Sequence, residues 1–526
     1  MAAGEISTHF DEAAIDRIFA QVDQGQLPGA AVAIALDGVP VYAKGFGLAN
    51  MELPILLTPQ TRMRVGSTTK HFACLAYLLL CEEGLAGIDD EIGRHVAGLK
   101  PAVAHAKVLS LMTHISGIRD PFWLTMAMHG VDRPVTDQQI LAYYETIDDV
   151  DFEPGTRWSY NNGGYALLTA AIEKITGQPL EDVLQERIFT PAGMHDTMLR
   201  RWDSNFVRNS AALHFRDAHG VFSKTHMSME LSGAGGMVST MADMLVWLKH
   251  MDAPVVGSQE SWRRMREPQL LASGWSTRYG LGLFCDSYRG VDVVHHAGDV
   301  MSGNSQMIKV PGAKLDISVG VNRSDVSASV LALQIIDAMV DGLAPVSEKV
   351  DYEKRTGIFV SKRDGRVVTL GEKNGDHLMT VDGGAAIPVS PDETGALQLP
   401  APVAFFQRSV RIDGDAILLT DFDDEDRLEA ITLDDDAMLG DRAGRYRSDG
   451  FDLTVTLTKG ETGASASLRG RHGWADYGLT PMSADIWRIE QKGFSPISGI
   501  MTLDPDGDGL QLDFGPVRHI RFTREG

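Results

Sequence analysis

Among the serines of this chain, only Ser67 is followed three residues later by a lysine, Lys70. On a helix that spacing puts both side chains on one face, one turn apart. Gly66-Ser67 heads the apolar run Thr69 to Glu83, which reads as a buried helix stopped by Gly84. The hydroxyl would then lie among the free N–H groups and the positive dipole end of a helix start. Such a site favours an alkoxide, and the Ser67 N–H can form half of an oxyanion hole. Burial would lower the proton affinity of Lys70 and make it a base or a proton relay. Taken alone, the pair reads equally well as a capping serine beside an exposed lysine.

Two further elements give it context. Tyr160-Asn161-Asn162 lies between a Pro-Gly turn and a second helix. A phenol beside an ammonium is expected to be drawn toward phenolate, able to take the serine proton and return it to a leaving group. Asn162 offers an amide to a substrate carbonyl; the plain alternative is a core tyrosine and a helix cap. Val293 to Asp299 reads as a strand ending in His296-Ala297-Gly298. A small residue and a glycine let a substrate backbone lie along its edge, with His296 aimed at the hydroxyls and a backbone N–H near Asp299 completing the oxyanion hole. Alternation sends the neighbouring His295 to the other face.

These residues need a scaffold, and the first 345 residues mix helix and strand signals suited to one. Gly29 to Leu36, the turn Asp37-Gly38 and Val39 to Tyr42 read as a hairpin. Tyr165 to Thr176, Met241 to Met251 and Ala328 to Val340 read as helices; Tyr279 to Phe284, Val291 to Val294 and Leu315 to Val321 read as strands. The order predicts an α+β domain over residues 1–345, a sheet of N- and C-terminal strands with a helical insertion. Beyond Pro345 short alternating strands with Asp-Gly and Asn-Gly turns take over. Gly357-Ile358-Phe359 before Val368-Thr369-Leu370 repeats as Gly444-Arg445-Tyr446 before Val455-Thr456-Leu457. Two similar antiparallel β-barrels are expected, over 346–438 and 439–526.

The chain has 526 residues, and its 71 acidic against 48 basic residues leave a net charge of −23. That field argues against nucleic acid and anionic membranes as partners. No apolar run reaches membrane-spanning length. Cys74, Cys81 and Cys285 show no zinc spacing, and no metal or organic cofactor is implied. The stretch Met1 to Ser7 has neither basic residues nor an apolar core, so a cytoplasmic protein is expected; a leader further upstream would make it periplasmic.

Ser67-Thr68-Thr69-Lys70, Tyr160-Asn161-Asn162 and His296-Ala297-Gly298, in that order, resemble the three signature elements of the penicillin-recognising serine hydrolases, a superfamily of class C β-lactamases, DD-peptidases, esterases and aminopeptidases. Leu111-Met112-Thr113-His114-Ile115-Ser116-Gly117 and Gly235-Gly236-Met237-Val238-Ser239-Thr240 resemble further landmarks, with His114 expected to pack below the site. The resemblance spans residues 10 to 343 or so and implies an acyl-enzyme on Ser67, with Lys70, Tyr160 and His296 catalytic. It also implies Asn162, Gly298 and Asp299 in substrate binding. Histidine stands where β-lactamases carry the lysine that binds the antibiotic carboxylate, which points away from penicillin hydrolysis. His-x-Gly and two C-terminal barrels are similar instead to the D-aminopeptidases of this superfamily, where an acid from the last barrel meets the substrate amine. The stretch matching that loop is Arg471 to Tyr477, which makes Asp476 the corresponding candidate. A small peptide or amide is the implied substrate, D-residue peptides and linearised microcystin included, and a homodimer is compatible with this reading. A carboxylesterase and a non-catalytic peptide-binding protein on the same fold are the alternatives.

Overall fold

The hairpin read around Asp37-Gly38 forms as β1 (Ala30–Leu36) and β2 (Val39–Phe46), with both turn residues at positive φ (49° and 68°), the type I′ geometry that matches strand twist. The computed structural model describes residues 6–130, 133–346, 352, 354–400, 407–460, 463–471, 473–491 and 497–526. Most of the stretch Met1 to Ser7, and His472 in the stretch Arg471 to Tyr477, lie outside them. Four later strands complete the sheet: β3 (Phe284–Tyr288), β4 (Val291–Val300), β5 (Gly303–Val310) and β6 (Leu315–Val321). All neighbours are antiparallel, in the order β3-β4-β5-β6-β1-β2.

Strand β1 is buried on both faces, and its alternation divides two cores. Ala30, Val32 and Ile34 join the core under α1 (Glu12–Ala20), while Ala31, Ala33 and Ala35 join the helical core that holds α2 (Thr69–Glu82). Alanines on that side let the helices approach closely. Helix α2 is apolar nearly all round because it is the centre of that core. Every residue from Thr69 to Leu78 is buried, Lys70 and His71 among them. Against it lie α4 (Asn162–Thr176) and α5 (Met241–His250), with α3 (Pro121–His129) further out, while α6 (Ala328–Met339) closes the opposite face of the sheet. The expected strand from Tyr279 to Phe284 is corrected. Only Phe284 enters a strand, because the Gly280 N–H bonds within the turn to the Leu283 carbonyl and the Tyr279 carbonyl is taken by Gln269.

The C-terminal part forms two closed antiparallel barrels of eight strands each, running from Gly357 to Ile431 and from Gly444 to Arg524. The internal repeat is structural: Gly357 pairs with Leu370 and Phe359 with Val368, as Gly444 pairs with Leu457 and Tyr446 with Val455. The leading glycines have φ of 154° and 156°, a conformation side chains avoid. The second barrel docks on α3, whose Leu124, Ala127 and Met128 enter the barrel core, and Tyr477 donates to the Ala127 carbonyl (2.6 Å). The first barrel reaches the middle of the N-terminal domain at the hairpin tip Asp421 to Asp424, where Phe422 packs on Trp158 with ring centroids 5.3 Å apart.

Strand β4 presses against the segment that carries Ser67. A Cβ on Gly298 would stand 1.7 Å from the Val65 carbonyl oxygen, and one on Gly66 (φ 51°) would stand 2.7 Å from the Asp299 nitrogen. Backbone cannot yield as a side-chain tip can. Gly298→Ala is therefore expected to cost about 3 kcal/mol, read as an earlier urea transition of the N-terminal domain by tryptophan fluorescence, with the barrels' transition unmoved.

Candidate active site

Ser67 lies in a single 3-10 turn, Gly66–Thr68, that runs into α2. Its N–H has no acceptor among the described residues, as a helix start leaves it. Lys70 reaches back one turn, with Nζ 3.1 Å from Ser67 Oγ, and donates to Asn162 Oδ1 (2.8 Å) and the Ala234 carbonyl (2.7 Å). Its side chain is wholly buried, and desolvation lowers its pKa to about 7 against the pull of Asp120. Burial thus moves Lys70 toward the free amine beside the hydroxyl, the state a base requires.

The second donor of an oxyanion hole follows from strand register. Strands β4 and β5 join through two residues, so Val300 and Gly303 form a hydrogen-bonded pair. Alternation then makes Gly298 and Ser305 another such pair and turns the Asp299 and Ala297 backbone away from β5. Pairing with β3 ends at His295, so this edge of β4 is free there, and it faces Gly66-Ser67. The Asp299 N–H, unpaired with β5, thus lies close to the Gly66-Ser67 segment.

Tyr160 stands near the Ser67 hydroxyl, and its ring lies under Lys70 Nζ at 4.6 Å. The expected drift toward phenolate is corrected. Burial dominates and raises the phenol above its ordinary value; the nearby Ser67 hydroxyl opposes this and the Asp120 charge adds to it. Tyr160 is a neutral donor. His114 packs against it, the two rings tilted by 36° with centroids 4.3 Å apart, with φ 62° and Nδ1 accepting from the Asn161 N–H (3.0 Å). His296 is also corrected. It is buried, Nδ1 lies 2.5 Å from the Ala297 carbonyl oxygen and Nε2 lies 3.1 Å from the Tyr279 hydroxyl, so it faces Tyr279 rather than Ser67. Desolvation and the nearby Lys70 hold its pKa well below the usual histidine value. His295 stacks on Phe284 from the other face of the strand.

The two asparagines divide their work. Asn161 caps α4, accepting from the Gly164 N–H (2.8 Å), while Asn162 spends its oxygen on Lys70 and leaves its NH2 for a substrate. Asp476, placed by resemblance near the amine, stands in a barrel strand (Gly473–Pro481), bonded to Ser467 (2.7 Å) and paired with Arg469 (2.9 Å). Neither bond is to Ser67, Lys70, Tyr160 or His296. Sequence reasoning missed Asp120. Its oxygens accept from the N–H groups of Asn162 (2.9 Å), Gly163 (2.9 Å) and Phe122 (3.0 Å), so one carboxylate starts α3 and α4 together. Burial raises its pKa to about 6 although those bonds and Lys70 oppose the rise. Asp120-Pro121 was legible only as a helix cap.

An active-site serine with a buried lysine and a neutral tyrosine, set between a helix start and a free strand edge, defines a serine hydrolase of the penicillin-recognising class. The family model described as Beta-lactamase matches residues 15–339, and the chain belongs to that family. It is similar along its length to the D-aminopeptidase of Brucella ovis, 29% identical over 477 residues that cover 88% of this chain and 87% of that protein. The D-aminopeptidase of Brucella anthropi is 27% identical over 532 residues, 98% of this chain and 99% of that one. Two solved structures share the fold. The octameric penicillin-binding protein homologue from Pyrococcus abyssi has a TM-score of 0.55 at 21% identity, covering 98% of this chain and 99% of its own. The D-amino acid amidase from Ochrobactrum anthropi SV3 has a TM-score of 0.54 at 24% identity, covering 62% and 98%. No helix among the described residues is long and apolar enough to cross a membrane.

A base must be neutral, so with Lys70 in that role kcat/KM should fall as pH drops through about 7. Asp120 raises the Lys70 pKa, so Asp120→Asn should move that acid limb down by about one unit, besides lowering the rate. A pH–rate profile that keeps the same limb in the variant would contradict the coupling.

Proposed function

We propose that this protein hydrolyses peptide or amide bonds of short peptides, D-residue-containing ones included, through an acyl-enzyme on Ser67. The observation that carries the reading is Lys70 Nζ, buried and 3.1 Å from Ser67 Oγ, with its other bonds spent on Asn162 and Ala234. Lys70 takes the Ser67 proton as the oxygen attacks the carbonyl carbon. The N–H groups of Ser67 and Asp299 hold the oxyanion. Tyr160, neutral and beside Ser67, gives a proton to the departing nitrogen and recovers one through Lys70. Water then repeats the attack on the ester, with Lys70 again the base. His296 acts behind this group, its Nδ1–H fixed on Ala297 and its Nε2 accepting from Tyr279.

The free edge of β4 suits an extended peptide backbone, and the Asn162 amide suits its carbonyl. His296, neutral through burial, supplies no cation for a penicillin carboxylate. D-Residue substrates are favoured by the names of the D-aminopeptidase relatives and by their coverage of both barrels. A linearised cyclic peptide such as linearised microcystin falls in this class.

The test is a mixed L/D peptide library with products read by mass spectrometry, beside p-nitrophenyl acetate and D-Ala p-nitroanilide. Amide cleavage is expected to fall at least about 10³-fold in Ser67→Ala. Ester turnover without amide turnover would make the protein a carboxylesterase. Failure of a fluorophosphonate to label Ser67 would leave a peptide-binding protein.

A further inference from the structure

A cavity of about 290 Å³ lies where the N-terminal domain meets both barrels. Ser159, Tyr160 and Leu271 line it from the N-terminal domain, and Met379, Phe422 and Asp423 from the first barrel. We propose that this cavity receives the leaving portion of the substrate and that Asp423 makes it favour a basic leaving residue. The proposal rests on the peptide or amide reading above.

Its position decides the first half. The step forms the bond from Ser67 oxygen to the carbonyl carbon and breaks carbon–nitrogen, and the serine proton ends on the nitrogen of the released amine. Tyr160 stands beside Ser67, is only half-buried and itself lines the cavity, so a nitrogen brought to Tyr160 leads what lies beyond it toward that cavity. Its volume holds one or two residues, near the lower end for ligand pockets.

The charges decide the second half. Of the acids at the tip, Asp421 is held by Arg366 and Arg408 (2.7 Å each), and Asp424 by Arg157 (3.2 Å) and Arg363 (2.7 Å). Asp382, deeper in, lies 3.3 Å from Arg518 and 3.6 Å from Arg366. Asp423 alone among these has no ion pair or side-chain hydrogen bond among the described residues, and it is half-buried. A carboxylate so placed, with the neighbouring cations already engaged, is complementary to a cation brought by the ligand.

The tip is built to hold that position. Phe422 has φ 59°, which a bulky residue adopts only under constraint. Its ring is buried against Trp158, whose own ring centroid is 6.1 Å from that of Tyr160, and its N–H donates to the Gln407 carbonyl (3.0 Å). The strained turn thus fixes Asp423 relative to the tyrosine across a domain boundary.

The experiment compares kcat/KM for matched peptides that differ only in the residue released, lysine against glutamate, with the simple primary amide of the same acyl residue as a third substrate. The lysine-to-glutamate ratio in the unmodified protein should be about tenfold, near one in Asp423→Asn, and inverted in Asp423→Lys. The ratio is internal to each protein, so a loss of overall rate does not obscure it, and the unmodified protein alone tests the preference if a variant fails to fold. A ratio near one in the unmodified protein, or one that Asp423→Asn leaves unchanged, overturns the proposal. Cleavage of the primary amide with no charge preference sinks the cavity assignment only, whereas inertness toward all three amides sinks the peptidase reading itself.

Discussion

The amine of Lys70 is wholly buried, and an ammonium there would be held without water. Few arrangements tolerate that. Here the nitrogen meets a hydroxyl, an amide oxygen and a carbonyl, and lies against two aromatic rings, Tyr160 and Tyr165. These partners serve either protonation state, so burial brings the amine near neutrality without leaving it unsatisfied. The same burial keeps Tyr160 protonated and His296 neutral. One environment, dense and mostly apolar, therefore sets a base and a proton donor side by side.

That environment is made by close backbone approach. Gly66 and Gly298 let the start of α2 and the edge of β4 touch. Asp120 does the corresponding work from below, gathering the first N–H groups of α3 and α4 so that Asn162 meets Lys70. The machinery is thus fastened by main-chain groups, which move less than side chains do.

The barrels play unequal parts. The second anchors to the helical insertion through α3, away from the nucleophile. The first sends an aromatic ring into the group of Trp158, Tyr279 and Phe284 that backs Tyr160. A resemblance to D-aminopeptidases directed attention to the last barrel and to Asp476. In the folded chain Asp476 is engaged with Ser467 and Arg469, and it is mainly the first barrel that lines the cavity beside the tyrosine.

By itself, the sequence determined the family and the α+β domain with two barrels, and it singled out Ser67, Lys70, Tyr160 and Asn162 as the candidates that the fold brings together. Each depends on short spacings, on periodicity or on a repeat, all of which are local and survive without a fold. Gly357 and Gly444 announced the barrels because the same φ demand recurs at the same offset from the same strand pair. Only the tertiary structure decided the charge on Tyr160, the turn of His296 toward Tyr279, the service of Asp120 to two helices, and the entry of Phe422. Those outcomes depend on how much water is excluded and on which distant segments meet. Neither is carried by the spacing of residues along the chain.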